Sequence, residues 1–119
     1  MSVVHRGANR FLPENRLKHP EDFKRIMLSA KKSVDSNFLV LAKENNLGYP
    51  RLGMAISRRQ VKTAVARNDI KRIIRESFRR NKSLLSGYDM VVMTRRSSKT
   101  ENHKKLLQSL DYHWHRIVK

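Results

Sequence analysis

Hydrophobic positions along this chain change their spacing several times, and each change marks an element. Residues 1–15 show no period and carry Gly7, Asn9 and Pro13, so they are expected to form a flexible basic arm that orders only on binding. Pro20 followed by Glu21 and Asp22 has the make-up of a helix start, a residue with no N–H to leave unpaired and then two acids against the positive helix end. That helix would carry Phe23, Ile26, Met27 and Ala30 on one face and end near residue 32. Residues 37–43 hold the apolar run FLVLA, and after the turn-rich NNLGYP, residues 52–57 alternate Leu52, Met54 and Ile56 with Gly53, Ala55 and Ser57. These two stretches are expected to be neighbouring antiparallel strands.

From about residue 63 the spacing turns helical. At about 100° per residue, Ala66, Ile70, Ile73, Ile74 and Phe78 share one third of the circumference, a width suited to packing on a sheet or a second helix. This helix should run to about residue 83, with Gly87 as a break and residues 89–94, DMVVMT, as a further strand. Thr100 is placed to cap a last helix whose face is His103, Leu106, Leu107, Leu110 and Trp114. The order is helix, strands, helix, strand, helix: an α+β plan for residues 16–119, a single small domain with helices covering a roughly four-stranded sheet. No repeat or low-complexity tract interrupts it.

Charge changes the picture of the middle helix. Asn68, Lys71, Arg72, Arg75 and Arg79 fall opposite its apolar stripe, and residues 58–80 hold nine Lys or Arg against Asp69 and Glu76 alone. A cationic face so short of acids repels itself unless an anion lies against it. Asp69 and Glu76 sit on one flank beside Arg72 and Arg80, spaced to hold arginine rotamers through pairs three or four residues apart, each worth only about 0.2–0.5 kcal/mol. The whole chain agrees, with 27 Lys or Arg against 10 Asp or Glu in 119 residues and a formal net charge of +17. A polyanionic partner makes such a charge tolerable. Leu, Ile, Val and Phe make up 31 of the 119 residues, above the roughly 20% below which disorder is expected.

Several chemistries are thereby excluded or weakened. The chain has no cysteine, which removes disulfides, Cys-based zinc sites and thiol nucleophiles. No apolar run resembles a signal peptide or approaches the roughly 18 residues of a membrane span, so a cytoplasmic protein without membrane attachment is expected. A self-sufficient nuclease needs a positioned base, acid or metal cage. The only acidic clusters are Glu21 with Asp22, explained by the helix dipole, and Asp69 with Glu76, set among arginines. His113 and His115 diverge on a helix and have no third ligand nearby, no Ser-His-Asp arrangement is suggested, and four scattered glycines build no phosphate loop. Trp114 and Tyr112 read as core and rim. Phe23 and Met27 read as core from periodicity, with a stacking surface for unpaired bases as the alternative.

The residues of the middle helix, AVARNDIKRIIRESFR, together with Arg16-Leu17 followed by Asp22-Phe23, Arg51-Leu52-Gly53, Ser57-Arg58-Arg59 and Asp89-Met90-Val91-Val92, resemble the bacterial ribonuclease P protein subunit over about residues 15–115. That family is the small basic partner of a catalytic RNA that removes the 5′ leader of precursor tRNA. The resemblance implies that the RNA, with its Mg²⁺, carries out hydrolysis, that the protein itself binds no cofactor, and that it needs no protein partner. It also implies RNA contact through Arg67, Asn68, Lys71, Arg72, Arg75 and Arg79, and a fold with a left-handed crossover, against the usual preference. A leader cleft between the first helix and the sheet would use Phe23 and Met27, bordered by Arg51, Arg58 and Arg59. The chain departs from the family's pattern at Asp69, which stands where a second arginine is usual and lowers the local charge by two, and at Met27 and Leu41, where relatives often carry aromatics.

The function expected is therefore a non-catalytic subunit that binds the catalytic RNA and the precursor-tRNA leader. A ribosomal or RNA-chaperone protein would satisfy the charge equally, whereas a DNA-binding helix-turn-helix needs a short-turn helix pair that the flanking strands do not supply.

Overall fold

In this computed structural model the described residues are 11–29, 31–96 and 102–118. Four strands, β1 (Lys31–Val34), β2 (Phe38–Glu44), β3 (Arg51–Ala55) and β4 (Tyr88–Thr94), form one mixed sheet. Four helices accompany it: α1 (Pro20–Ser29), α2 (Ala64–Arg80), the single turn α3 (Lys82–Leu85) and α4 (His103–Ile117). The strand order is β1-β2-β4-β3, with β1/β2 and β2/β4 antiparallel and β4/β3 parallel. This is the small α+β domain expected.

Two expectations about the sheet are corrected. β2 and β3 are not neighbours, because β4 lies between them. Met90, Val91 and Val92 are all buried, and a strand apolar on both faces belongs in a sheet interior. The first helix stops at Ser29, and residues placed at its end form the edge strand β1. Its KKSV sequence has no visible period. What creates it is the turn that follows, where Asp35 Oδ1 accepts from the Asn37 and Phe38 amides at 2.9 and 2.8 Å and folds the chain back onto β2.

One sheet face carries the main core, with Met54 and Tyr88 half-buried at its margin. Phe38, Val40, Ala42, Leu52, Met90 and Val92 meet Ile70, Ile73, Ile74 and Phe78 of α2 and Leu106, Leu110, Trp114 and Ile117 of α4. The apolar stripe predicted for the middle helix is thus its buried face, with Ala66 at its margin. On α4, Leu107 is half-buried and His103 exposed, while His113 and Ile117 complete the buried face. Asn102 caps that helix, accepting from the Lys105 amide at 2.9 Å; Thr100, expected in that role, lies outside the described residues, as does Ala30.

The other face is only partly covered. Leu17, Ile26, Leu41 and Val91 make a small second core with Phe23, Leu39 and Met93 at its edge. The pairing Val34–Leu39, Leu39–Met93 and Met93–Ala55 sets four of that face's residues in a row across all four strands. Val34 and Ala55 are exposed and Leu39 and Met93 half-buried, so this row stays open beside α1. Of the arm assigned to residues 1–15, residues 1–10 lie outside the described residues, while 11–15 belong to the domain. Phe11 stacks edge-on against Phe78, and buried Asn15 donates to the Pro50 carbonyl at 2.8 Å.

Candidate RNA interface

Thr63 starts α2 by accepting the Ala66 amide on its Oγ1 at 3.1 Å, and with Ile70, Ile73, Ile74 and Phe78 buried the opposite face is presented outward. Asn68, Asp69 and Arg72 are exposed there, and Lys71, Arg75 and Arg79 are half-exposed. Arg67 is turned back: its Nη1 donates to the carbonyls of Val61 and Lys62, both at 3.0 Å, stiffening the loop that leads into the helix. Asp69 lies 3.8 Å from Arg72, and Glu76 is 2.7 Å from Arg80, the two rotamer-holding pairs expected.

Arg16, which the helical pattern could not reveal, joins this face from the segment before α1. It lines, with Phe11, Arg72, Arg75, Glu76 and Arg79, an open depression of about 590 Å³. Burial, and then the charges of Arg16 and Arg72, push the Arg75 guanidinium below the usual arginine value. Arginine keeps its proton in practice, so these guanidinium groups stay charged side by side, and an anion seated among them would relieve their mutual repulsion. The Arg16 guanidinium also lies 5.7 Å from the Phe11 ring centroid, close enough for a cation–π contact that orients it. No periodic signal links Arg16 to α2. The Leu17 amide donates to the Leu52 carbonyl at 2.9 Å, laying this segment along the free edge of β3 and so bringing the two together.

A smaller cavity of about 200 Å³ connects the basic face to α1, with Lys71, Arg75 and Arg16 on one side and Phe23, Gly53 and Met54 on the other. Phe23 is half-buried and turns the Cε1–Cζ edge of its ring toward Gly53: a Cβ built there would be 2.6 Å from both atoms. Only glycine permits this approach. Met27 is 53% exposed, so it stands at the helix rim and not in the core. Arg58 and Arg59 are exposed just beyond the end of β3.

Arg51 is placed differently from its expected companions. It sits at the start of β3, the opposite end from Arg58 and Arg59, and its Nε and Nη2 donate to the two oxygens of buried Asp89 at 2.8 and 2.7 Å. These hydrogen bonds raise its pKa further above the ordinary arginine value, against the effect of burial. Its fork is thus committed to the fold.

A Ser-His-Asp arrangement, not suggested by the sequence, does occur. His113 Nδ1 is 2.6 Å from Ser33 Oγ, and its Nε2 is 3.1 Å from Asp35 Oδ1, outside hydrogen-bonding alignment. Ser33 and His113 are almost fully buried, so the group ties α4 to the β1–β2 hairpin and meets no substrate. Burial depresses the His113 pKa despite the nearby Asp35 carboxylate. His115 is exposed, and among the described residues no group of three or more His, Cys, Asp or Glu could hold a metal ion. Among them, too, no helix is long and apolar enough to cross a membrane.

These features define a class: a strongly cationic α+β domain carrying an anion-seeking helix face beside a half-open, apolar sheet surface. A family model described as Ribonuclease P matches residues 11–118. The ribonuclease P protein component of Aliivibrio fischeri is 42% identical over 107 residues, covering 90% of this chain and 92% of that protein. That of Methylococcus capsulatus is 44% identical over 104 residues, covering 87% and 81%. Among solved structures, the Staphylococcus aureus RNase P protein superposes with a TM-score of 0.79 at 33% identity, covering 88% of this chain and 95% of that one. The Thermotoga maritima RNase P protein, in complex with 1-(4-fluorophenyl)-2-thiourea, gives 0.78 at 34%, covering 86% and 99%. The chain belongs to the ribonuclease P protein component family, and works as the protein subunit of that ribonucleoprotein endoribonuclease, together with its RNA subunit. The ribosomal or chaperone alternative is not favoured.

Proposed function

We propose that the two surfaces divide the work between two RNAs. The outward face of α2, with Asn68, Lys71, Arg72, Arg75, Arg79 and the added Arg16, docks the catalytic RNA, while Arg67 shapes its leading loop. The partly open sheet face, with Phe23 and Met27 on α1, the Val34–Leu39–Met93–Ala55 row as floor and Arg58 and Arg59 beyond β3, receives the single-stranded 5′ leader of precursor tRNA. The observation that carries the reading is the convergence of Arg16, Arg72, Arg75 and Arg79 around one depression, with Glu76 as its single acid and that acid already paired to Arg80.

Hydrolysis then rests with the RNA subunit and its Mg²⁺, and the protein's part is electrostatic and positional. Two polyanions approach each other at a cost that a dense positive insert offsets, and binding should weaken with salt, log K falling by roughly 0.7–0.9 per phosphate neutralised. An unpaired base stacked on Phe23 would add about 1–3 kcal/mol. The cytoplasm, where precursor tRNA is processed, is the compartment that fits.

Leader removal at low magnesium tests this, using catalytic RNA alone, protein alone, and both. Cleavage that needs both is the expected result. Cleavage by RNA-free protein would make the chain an enzyme in its own right, and absence of stimulation would remove the cofactor reading.

A further inference from the structure

Asp89 is fully buried in a chain of net charge +17, and every acceptor position it has is filled. Oδ1 accepts from Asn45 Nδ2 at 2.9 Å and Arg51 Nε at 2.8 Å; Oδ2 accepts from Arg51 Nη2 and Arg25 Nη2, each at 2.7 Å. Asp22 lies 3.7 Å from Arg25 and 3.6 Å from Arg51, closing a quartet of two acids and two arginines. Three segments, α1, the loop after β2 and β3, are thus held by one carboxylate on β4.

Packing alone holds α1 weakly. Among its described side chains Ile26 alone is fully buried, Phe23 is half-buried, and Met27 and Leu28 are 53% and 78% exposed. A helix resting on so few contacts can roll on the sheet, and its roll decides where Phe23 and Met27 stand over the open row. Arg25 and Asp22 flank Phe23 in sequence and grip Asp89 and Arg51, so they set that roll. Asp89 itself is four residues along β4 from Met93, roughly 13 Å at 3.3 Å per residue, too far to touch a leader lying on the row. We propose that Asp89 is a positioning residue of the leader cleft, acting through Arg25 and Arg51 to hold α1 at its working angle. The inference rests on the leader reading above.

The test uses the reconstituted holoenzyme and two precursor tRNAs, one with a long single-stranded leader and one with a single-nucleotide leader. Asp89→Asn keeps the shape but removes the charge that both arginines need, and Arg25→Gln releases α1 while leaving the Arg51–Asp89 pair in place. Both should raise KM for the long-leader substrate about 3- to 10-fold, a partial loss of base stacking, with kcat, KM for the short-leader substrate and affinity for the catalytic RNA unchanged. Arg25→Lys, which keeps the cation, should recover part of the loss. Equal loss on both substrates, or no change on either, would overturn the proposal. Should Asp89→Asn fail to fold by circular dichroism, Arg25→Gln decides alone. Phe23→Ala run alongside separates the two ideas: leader-length dependence lost in Phe23→Ala but intact in Arg25→Gln refutes the positioning role only. Unaltered dependence in Phe23→Ala removes the leader reading, and this inference with it.

Discussion

Gly53→Ala puts the cleft geometry under direct strain. The added methyl would sit 2.6 Å from two carbons of the Phe23 ring and 3.3 Å from Leu17 Cδ2. Carbon atoms rest about 3.5–4.0 Å apart, so the ring must retreat by about 1 Å. Overpacking costs typically 1–3 kcal/mol. Here the clash is with the far end of a half-exposed side chain and not with backbone, which favours the lower limit, about 1 kcal/mol. For a domain of this size that lowers Tm by about 3–6 °C. The functional cost should be larger than the structural one, because a displaced ring no longer offers its face at the cleft. Loss of one stacked base, at about 1–3 kcal/mol, corresponds to roughly 5- to 150-fold weaker binding of a long-leader substrate. The assay pairs thermal denaturation of the free protein with holoenzyme KM for long- and short-leader precursors. A Tm drop with no leader-specific effect would refute a leader-binding Phe23. No change in either would refute the packing of Phe23 on Gly53.

Four further outcomes follow from the same contacts. Arg72→Ala should weaken catalytic-RNA binding and lower the salt slope by about one, as for a phosphate contact; an unchanged slope in a salt titration would move Arg72 off the interface. Asp69→Arg removes the 3.8 Å partner of Arg72 and adds a cation at an exposed site, so RNA affinity and salt slope should both rise, whereas unchanged affinity would leave Asp69 with the rotamer-holding role alone. Ser77→Ala strips the buried Trp114 indole N–H of its 2.8 Å acceptor and should cost about 1–3 kcal/mol in urea unfolding; a neutral result would mean the indole finds another partner. His113 is held neutral by burial, its folded pKa lying below the ordinary 6.5, so its contribution is complete above pH 6.5 and is lost as pH falls below that value through the folded pKa. His113→Gln should flatten the stability profile over that window, and an unaltered profile would place the acid sensitivity elsewhere.

Much of this protein was legible in its residues because the signals were local. The α2 stripe of Ile70, Ile73, Ile74 and Phe78, and the cations opposite it, follow from helical periodicity, since burying one face leaves the other to solvent whatever the helix packs on. The Asp69–Arg72 and Glu76–Arg80 pairs are set by spacing along a single helix. The motifs that resemble the ribonuclease P protein subunit are likewise local runs, and they led to the family. Tertiary structure decided what depends on chain segments meeting. Whether β4 lies at the edge of the sheet or between β2 and β3 is a matter of crossover topology, and the expectation that β2 and β3 pair failed for that reason. β1 exists because the Asp35 turn pairs a polar segment with β2 and because Ser33 finds His113 from 80 positions away. Arg16 reaches the basic face, and Arg51 leaves the cleft for Asp89, through contacts with residues far away in sequence. A charged side chain commits to whichever partner the fold brings within about 3 Å, and periodicity, which reports only the face a residue occupies, carries no record of that partner.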